Sequence, residues 1–358
     1  MAIHPSSSRE LVYTPTPEQG YAFELRHREL RPLRAGEVLV RNLLVSCDPT
    51  QFAWLNAGSS YAPRIQAGEV MRAWCAGHVV ESRHAGFAPG ARVWGTLGWQ
   101  DYSISDGSGS LPLAHVPEGV PLSYPLGLTG INGVTAHIGM LEIGRPAKGE
   151  TVVVSTAAGA TGSVAAQLAR NRGARVIGIA GGSEKCAWLR ESLKLTAAID
   201  YKSQDLERSL REHCPRGIDV YFDNVGGPTL DTVLAQMADH GRIALCGATS
   251  LYAGGSGSLQ NGLMLLARRL TVRGFVVMDH RERFAPISAE LTDAARRGEV
   301  GTREDIVHGL ESAPLALLRL LQGHNVGKQL VQLEAASELE PLLCAPAAQS
   351  DSRRAAAL

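Results

Sequence analysis

The chain has 358 residues, 44% apolar and 20% charged, which suits a globular protein of two domains better than one ordinary core. Lys+Arg and Asp+Glu both number 35, so no global charge draws it to nucleic acid or to an anionic membrane. Six cysteines, at 47, 75, 186, 214, 246 and 344, form no C-x-x-C pair, which argues against a disulfide framework or a structural zinc lobe and for reduced thiols in the cytoplasm.

The opening stretch MAIHPSSSRELVYTP has no apolar core of the kind a secretory signal needs. EVLVRNLLVSCD then alternates and ends in a turn at Asp48-Pro49. HVVES and ARVWGTLG follow, separated by the Gly/Pro-rich FAPG. This spacing predicts an irregular β-rich domain over the first third. From Gly127 a helical stretch, GLTGINGVTAHIGMLEIG, leads into alternating buried strands and helices. Strands are expected at 151–155, 175–180, near 198–201, 218–223, 242–246 and 270–277. Helices are expected at 162–171, 184–192, within 205–213 and at 228–237. The pattern is that of a doubly wound α/β fold. GLMLLARRL is broken by Arg268 and Arg269 and is too short to span a bilayer. KQLVQL, 328–333, reads as one more strand that returns to the first domain, and the tail from 345 as disordered.

Between the strand TVVVS and its helix lies Thr156-Ala157-Ala158-Gly159-Ala160-Thr161-Gly162, a G-x-G-x-x-G turn whose first glycine is replaced by Ala157. Gly159 lets the backbone approach a pyrophosphate, and Gly162 lets the helix pack closely on the strand. The helix N-terminus adds free N–H groups and a positive dipole end for phosphate. A glycine pattern alone is weak; the strand–turn–helix context makes it a dinucleotide site. The next strand, RVIGIA, runs into Gly181-Gly182-Ser183 without the carboxylate that would bond a ribose 2′-hydroxyl. Lys185 follows on the first helical turn as a cation suited to a 2′-phosphate, and Tyr201 could close over it. The cofactor expected is therefore NADP(H). The plainer alternative leaves Lys185 a solvated helix residue.

These residues carry a resemblance to the zinc-independent medium-chain dehydrogenases/reductases, in the prostaglandin/leukotriene and curcumin-type alkenal reductase branch. It runs through LEIGRPAKGETVVVSTAAGATGSVAAQLA, IAGGSEKCAWL, GIDVYFDNVGG, GRIALCGATSLY and NVGK, and through AGEVMRAWCAGHVVES and GWQDY in the first domain. The resemblance implies a Rossmann domain over 127–304, and a GroES-like catalytic domain formed by 1–126 with 305–344. A homodimer is also implied. It further implies that Ala157, Gly159, Ala160, Thr161, Gly162 and Gly182 surround the cofactor, with Lys185 and Tyr201 on the 2′-phosphate. Asn224 would meet the ribose region, Cys246 and Gly247 line the crevice, and Asn325, Phe275 and Val277 lie near the nicotinamide. Asn224 could equally be a turn former and Phe275 a core residue.

Zinc-using relatives place Gly-His-Glu where this chain has Gly68-Glu69. Cys47 falls near a zinc cysteine of theirs, but no second ligand accompanies it, and one soft ligand makes no tetrahedral site. Without a Lewis acid, the chemistry implied is hydride addition to a conjugated C=C bond, whose charge spreads onto the carbonyl as an enolate. Tyr61 and Tyr252 are the candidate proton donors to that enolate; each could instead only shape the pocket. The chain departs from the family at Thr50-Gln51-Phe52, at Ile131-Asn132-Gly133 and at His137. These are read as substrate-side changes suited to a conjugated natural-product substrate, for which hydride addition to a polyene could also close a ring. A zinc-free quinone or carbonyl oxidoreductase, and a non-catalytic NADPH-binding protein, are the competing readings.

Overall fold

The computed structural model describes residues 5–15, 22–55, 63–109, 111–252 and 257–333. Tyr61 and the tail from 345 lie outside the described residues. The first part begins with an antiparallel hairpin, β1 (Ser7–Tyr13) and β2 (Phe23–Glu29). β3 (Val38–Ser46) follows, buried at every position except the half-buried Arg41. The alternation read from the sequence thus gives way to a central strand, hydrogen-bonded to three others. After the short helix α1 (Thr50–Leu55) come β4 (Trp74–Ser82), β5 (Arg92–Thr96), β6 (Tyr102–Ser105) and β7 (Ala114–His115).

The chain then crosses to the second part through α2 (Ile131–His137), which continues without a break as a wider π-helical turn, Ile138–Gly144. A six-stranded parallel sheet follows, built from β8 (Thr151–Val154), α3 (Ala160–Asn171), β9 (Arg175–Ala180), α4 (Ser183–Glu191), β10 (Ala197–Asp200), α5 (Leu206–His213), β11 (Ile218–Asp223), α6 (Gly227–Leu234) and β12 (Met237–Leu245). The short helices α7 (Thr249–Tyr252) and α8 (Met264–Ala267) precede the edge strand β13 (Thr271–Gly274). The strand order is β10-β9-β8-β11-β12-β13. This is the doubly wound arrangement, with its topological switch between β8 and β11. β8 is wholly buried, as its β-branched Thr-Val-Val-Val run requires of a strand covered on both faces.

Two boundaries differ from expectation for local reasons. The helix predicted to reach 237 ends at Leu234, because Met237 is buried and pairs with Ile218, so β12 starts early. The strand predicted to reach 277 stops at Gly274, the partner of Leu245, where β12 itself ends. With nothing left to pair, Phe275–Val277 turn out of the sheet.

After a 3-10 segment (Val277–Arg283) and α9 (Phe284–Arg296), the chain returns to the first part with β14 (Glu304–His308), α10 (Ala313–Leu321) and β15 (Lys328–Gln332). β14 and β15 are parallel, and β15 joins β3 to complete a seven-stranded sheet. The 328–333 strand was legible in the sequence; β14 was not. Among the described residues, no helix is long and apolar enough to cross a membrane.

Candidate active site

A cleft of about 850 Å³ opens at the carboxyl ends of β8 and β11, bounded on its other side by α1 and the start of β4. Its floor is the glycine turn. Thr156 holds a left-handed backbone (φ 49°), and Gly159 caps α3. A Cβ at Gly162 would come 2.3 Å from the Thr156 carbonyl oxygen, so only glycine lets the helix sit this close to the strand. Gly327 N–H donates to the Ala158 carbonyl at 2.7 Å, which ties the strand returning to the first part onto this turn. Ala160, Thr161 and Gly162 bring the first turn of α3, whose amides have no acceptor within the helix, to the cleft wall.

At one end Lys185, Tyr201, Gly181 and Gly323 converge. Lys185 Nζ donates to the Gly323 carbonyl at 2.7 Å. Partial burial, and then the charge of Lys202, lower its pKa. Asp305 and Glu184 attract it from further off, but among the described residues no carboxylate pairs with it directly, which leaves a place for a phosphate. The sequence reading missed one carboxylate nearby, Asp200. It accepts from the amides of Gly182 (2.7 Å) and Lys202 (3.1 Å) and from the Ser203 hydroxyl (2.9 Å), and it is not part of the cleft lining. Spent on its own loop, Asp200 leaves the end of the cleft cationic.

The wall above the floor is the Asp223–Gly226 loop. The Asp223 carboxylate is fully buried and accepts from Tyr221 Oη (2.8 Å), Val225 N (2.9 Å) and Gly226 N (3.0 Å). Burial nevertheless raises its pKa. Asn224 follows, its amide nitrogen donating to the Ser155 carbonyl at 2.6 Å. Cys246 and Gly247 are fastened to the same loop through the Asp223 carbonyl, at 2.8 and 3.0 Å. Asn224 is therefore fixed into the cleft by Ser155, just after β8, as well as by its own turn.

The other end is apolar and aromatic, lined by Trp54, Trp74, Ile131, Phe275 and Met278. Phe275 faces the cleft while packing so closely on Gly139 that a Cβ there would meet its ring at 2.6 Å. Val277, Tyr252 and Asn325 also line the cleft. Beneath them a buried ion pair joins Lys328 Nζ to Asp48 Oδ1 at 2.6 Å.

The structure moves several predicted residues away from the site. Ala157 is wholly buried behind the turn, its amide bonded to the Ile179 carbonyl at 3.0 Å, because that position faces Gly178 rather than the cleft. Gly182 caps α4 with its N–H taken by Asp200, and does not line the cleft. Of the departures read as substrate-side, Thr50, Ile131 and Asn132 do line the cleft. His137 does not: it is buried, with Nε2 3.2 Å from Glu290 Oε2. Gln51 accepts from the Asp48 amide and donates to the Arg72 carbonyl, and Phe52 is core. Cys47 is 1% exposed, and burial pushes its thiol up to about 12. Among the described residues, no group of three or more His, Cys, Asp or Glu is placed to hold a metal ion.

Residues 11–113 match the family described as the N-terminal domain of oxidoreductase, and residues 160–293 the one described as zinc-binding dehydrogenase. The second match covers the nucleotide-binding part and not the Cys47 region. The chain is 39% identical over 305 residues to a 2-alkenal reductase (NADP(+)-dependent) of Nicotiana tabacum, covering 84% of this chain and 89% of that protein. It is 35% identical over 328 residues to the NADPH-dependent curcumin reductase of Escherichia coli, covering 89% and 93%. The solved structure of CurA in complex with NADPH from Vibrio vulnificus superposes with a TM-score of 0.83 at 38% identity, covering 91% of this chain and 99% of that one. With the glycine turn, the cationic end and the aromatic chamber in one cleft, the chain belongs to the medium-chain dehydrogenases/reductases, in their zinc-independent alkenal reductase branch.

Proposed function

We propose that the protein reduces a conjugated carbon–carbon double bond at the expense of NADPH. The observation that carries this reading is one continuous cleft. It has a phosphate-binding turn at its floor, at one end a Lys185 with no direct ion pair among the described residues, and an aromatic chamber at the other. The names of the relatives, reductases of 2-alkenals and curcumin, support the same reaction class.

In this reading Gly159, Ala160, Thr161 and Gly162 hold the pyrophosphate, and Lys185 and Tyr201 the 2′-phosphate. Asn224, Cys246, Gly247, Phe275, Val277 and Asn325 surround the ribose and nicotinamide. NADPH supplies the hydride. The chain orients the alkene in a chamber that sheds water, and offers a phenol at Tyr252, or at Tyr61, to protonate the enolate. We further propose that the domains divide as 1–126 with 305–344, and 127–304. A homodimer is supported by the exposed edge strand β13 and by Leu263 and Leu266, 68% and 75% exposed beside it. The free thiols of the described cysteines suit a reducing cytoplasm.

The test is a panel of enones, quinones and polyenes with NADPH deuterated at the transferred position. Label at a former alkene carbon supports the proposal, with a new carbon–carbon bond marking a ring-closing variant. Label at a carbinol carbon would replace it with carbonyl reduction, and absence of turnover across the panel would leave a binding protein.

A further inference from the structure

The cleft floor and the seam beneath it are joined by one side chain. Asn132 stands in the first turn of α2, which packs along α3, and it lines the cleft half-buried. Its amide nitrogen donates to Thr161 Oγ1 at 3.2 Å and to Asp48 Oδ1 at 3.4 Å. Thr161 lies on the first turn of α3, in the second part, whereas Asp48 follows β3 in the first. Asn132 therefore bridges the two parts at the phosphate-binding turn.

The chemistry of its neighbours fixes which way this amide faces. Asp48 is 4% exposed, and its Oδ1 already accepts from Lys328 Nζ at 2.6 Å and its Oδ2 from the Ser46 hydroxyl. A carboxylate only accepts, so Asn132 must turn its N–H groups toward Asp48 and Thr161. Its own Oδ1 is then left buried without a partner among the described residues, a cost the side chain bears to serve both acceptors.

The consequence falls on Thr161. A hydroxyl that accepts an N–H on one side presents its own proton on another. Thr161 makes no further hydrogen bond among the described residues, so that proton remains to be donated to a ligand in the cleft. A phosphate oxygen needs a donor of this kind. Had Asp48 met Thr161 directly, the carboxylate would have taken the proton and faced a bound phosphate with its own charge. Lys328 neutralises Asp48, and the neutral amide stands between the carboxylate and the hydroxyl.

We infer that Asn132 is a positioning residue for the cofactor's pyrophosphate: it holds the Thr161 hydroxyl ready as a donor and fastens that donor to the Asp48–Lys328 pair at the seam. The inference rests on the reading that the turn around Gly159 and Gly162 holds the pyrophosphate, and it goes beyond that reading in naming a residue that acts through another.

The experiment measures, by calorimetry, binding of NADP⁺ and of adenosine 2′-monophosphate, which has the 2′-phosphate and no pyrophosphate. Thr161→Val removes the hydroxyl and keeps the shape, and should weaken NADP⁺ roughly ten- to a hundredfold, the scale of one charge-assisted contact. Asn132→Leu keeps the volume and removes both N–H groups. It should weaken NADP⁺ roughly three- to tenfold, the worth of holding one side chain in place beforehand. Adenosine 2′-monophosphate should stay within about twofold of wild type in both variants. The same Asn132→Leu loss should recur beside Thr161→Ser, which keeps the hydroxyl, and vanish beside Thr161→Val, where none is left to orient. Asn132→Ala repeats the series if the leucine variant unfolds at a lower temperature than wild type. Unchanged NADP⁺ binding in Asn132→Leu, a full further loss beside Thr161→Val, or an equal loss of adenosine 2′-monophosphate would overturn the inference. Equal wild-type affinity for the two ligands would remove the pyrophosphate from the turn and take the inference with it. The expected pattern without turnover of any enone would sink the reductase reading alone.

Discussion

The ammonium of Lys328 lies 2.6 Å from the carboxylate of Asp48, and their side chains are only 2% and 5% exposed. Lys328 opens β15, which returns to the first part, and Asp48 follows β3, so the pair closes the seam beneath the cleft. Lys328 also donates to the Cys47 carbonyl at 3.2 Å. Removing one partner strands a buried charge, so Asp48→Ala is expected to cost about 3–5 kcal/mol. The double variant Asp48→Leu with Lys328→Met leaves no ion behind and should recover much of that loss. Urea unfolding of the wild-type protein and both variants checks this; equal midpoints for Asp48→Ala and the wild type would show the pair to be dispensable.

Lys185 should decide between nicotinamides. Lys185→Ala is expected to weaken NADPH binding roughly ten- to a hundredfold and to leave NADH nearly unchanged, the scale of one charge-assisted contact. Burial and Lys202 hold the Lys185 pKa below its ordinary 10.5 in the cofactor-free protein. The charged form is thus disfavoured in the fold, a cost present at neutral pH that fades as pH rises from the lowered value toward 10.5. Because the phosphate needs the ammonium, preference for NADPH over NADH should be full at neutral pH and decline before pH 10.5. Titration of both cofactors against pH measures it, and an equal loss of both in Lys185→Ala would place Lys185 outside the phosphate site.

The two glycines of the turn should fail differently. At Gly162 a methyl would lie 2.3 Å from the backbone oxygen of Thr156, so the helix or the turn must move. Gly162→Ala is expected to lose about 1–3 kcal/mol of stability along with cofactor binding. At Gly159 the nearest atom is the Thr156 methyl at 3.0 Å, an adjustable neighbour. Gly159→Ala should therefore remain closer to wild-type stability while still obstructing the pyrophosphate. Thermal unfolding with and without NADPH separates the two.

The parallel sheet was legible because its strands are short apolar runs with a glycine turn at the switch point; Arg175–Ala180 and Ile218–Asp223 fall where their composition places them. What was not legible depends on long-range pairing. Glu304–His308 has no strand-like alternation and becomes β14 only because β15 lies beside it. Position within a motif likewise could not say which way a residue faces: Gly182 adjoins the lining residue Gly181, yet its N–H is held by Asp200, and His137 shares α2 with the lining residues Ile131, Asn132 and Thr135, yet its ring is buried with Nε2 3.2 Å from Glu290.

Tyr252 ends α7 on the cleft wall, half-buried and packed against the core. An unperturbed phenol keeps its proton at neutral pH and gives it up only to a strong base such as that enolate. Tyr252→Phe removes the hydroxyl and keeps the ring, so packing is largely preserved. If this phenol is the donor, turnover should fall roughly 10²–10⁴-fold while NADPH binding stays close to wild type. The deuterium content of the product at the carbon next to the carbonyl, measured in D₂O, gives a second reading. A protein-held donor should place solvent deuterium on one face, and the variant should lose that selectivity. Similar small losses in Tyr252→Phe and Tyr61→Phe, with selectivity intact in both, would mean that water protonates the enolate and the tyrosines only shape the chamber.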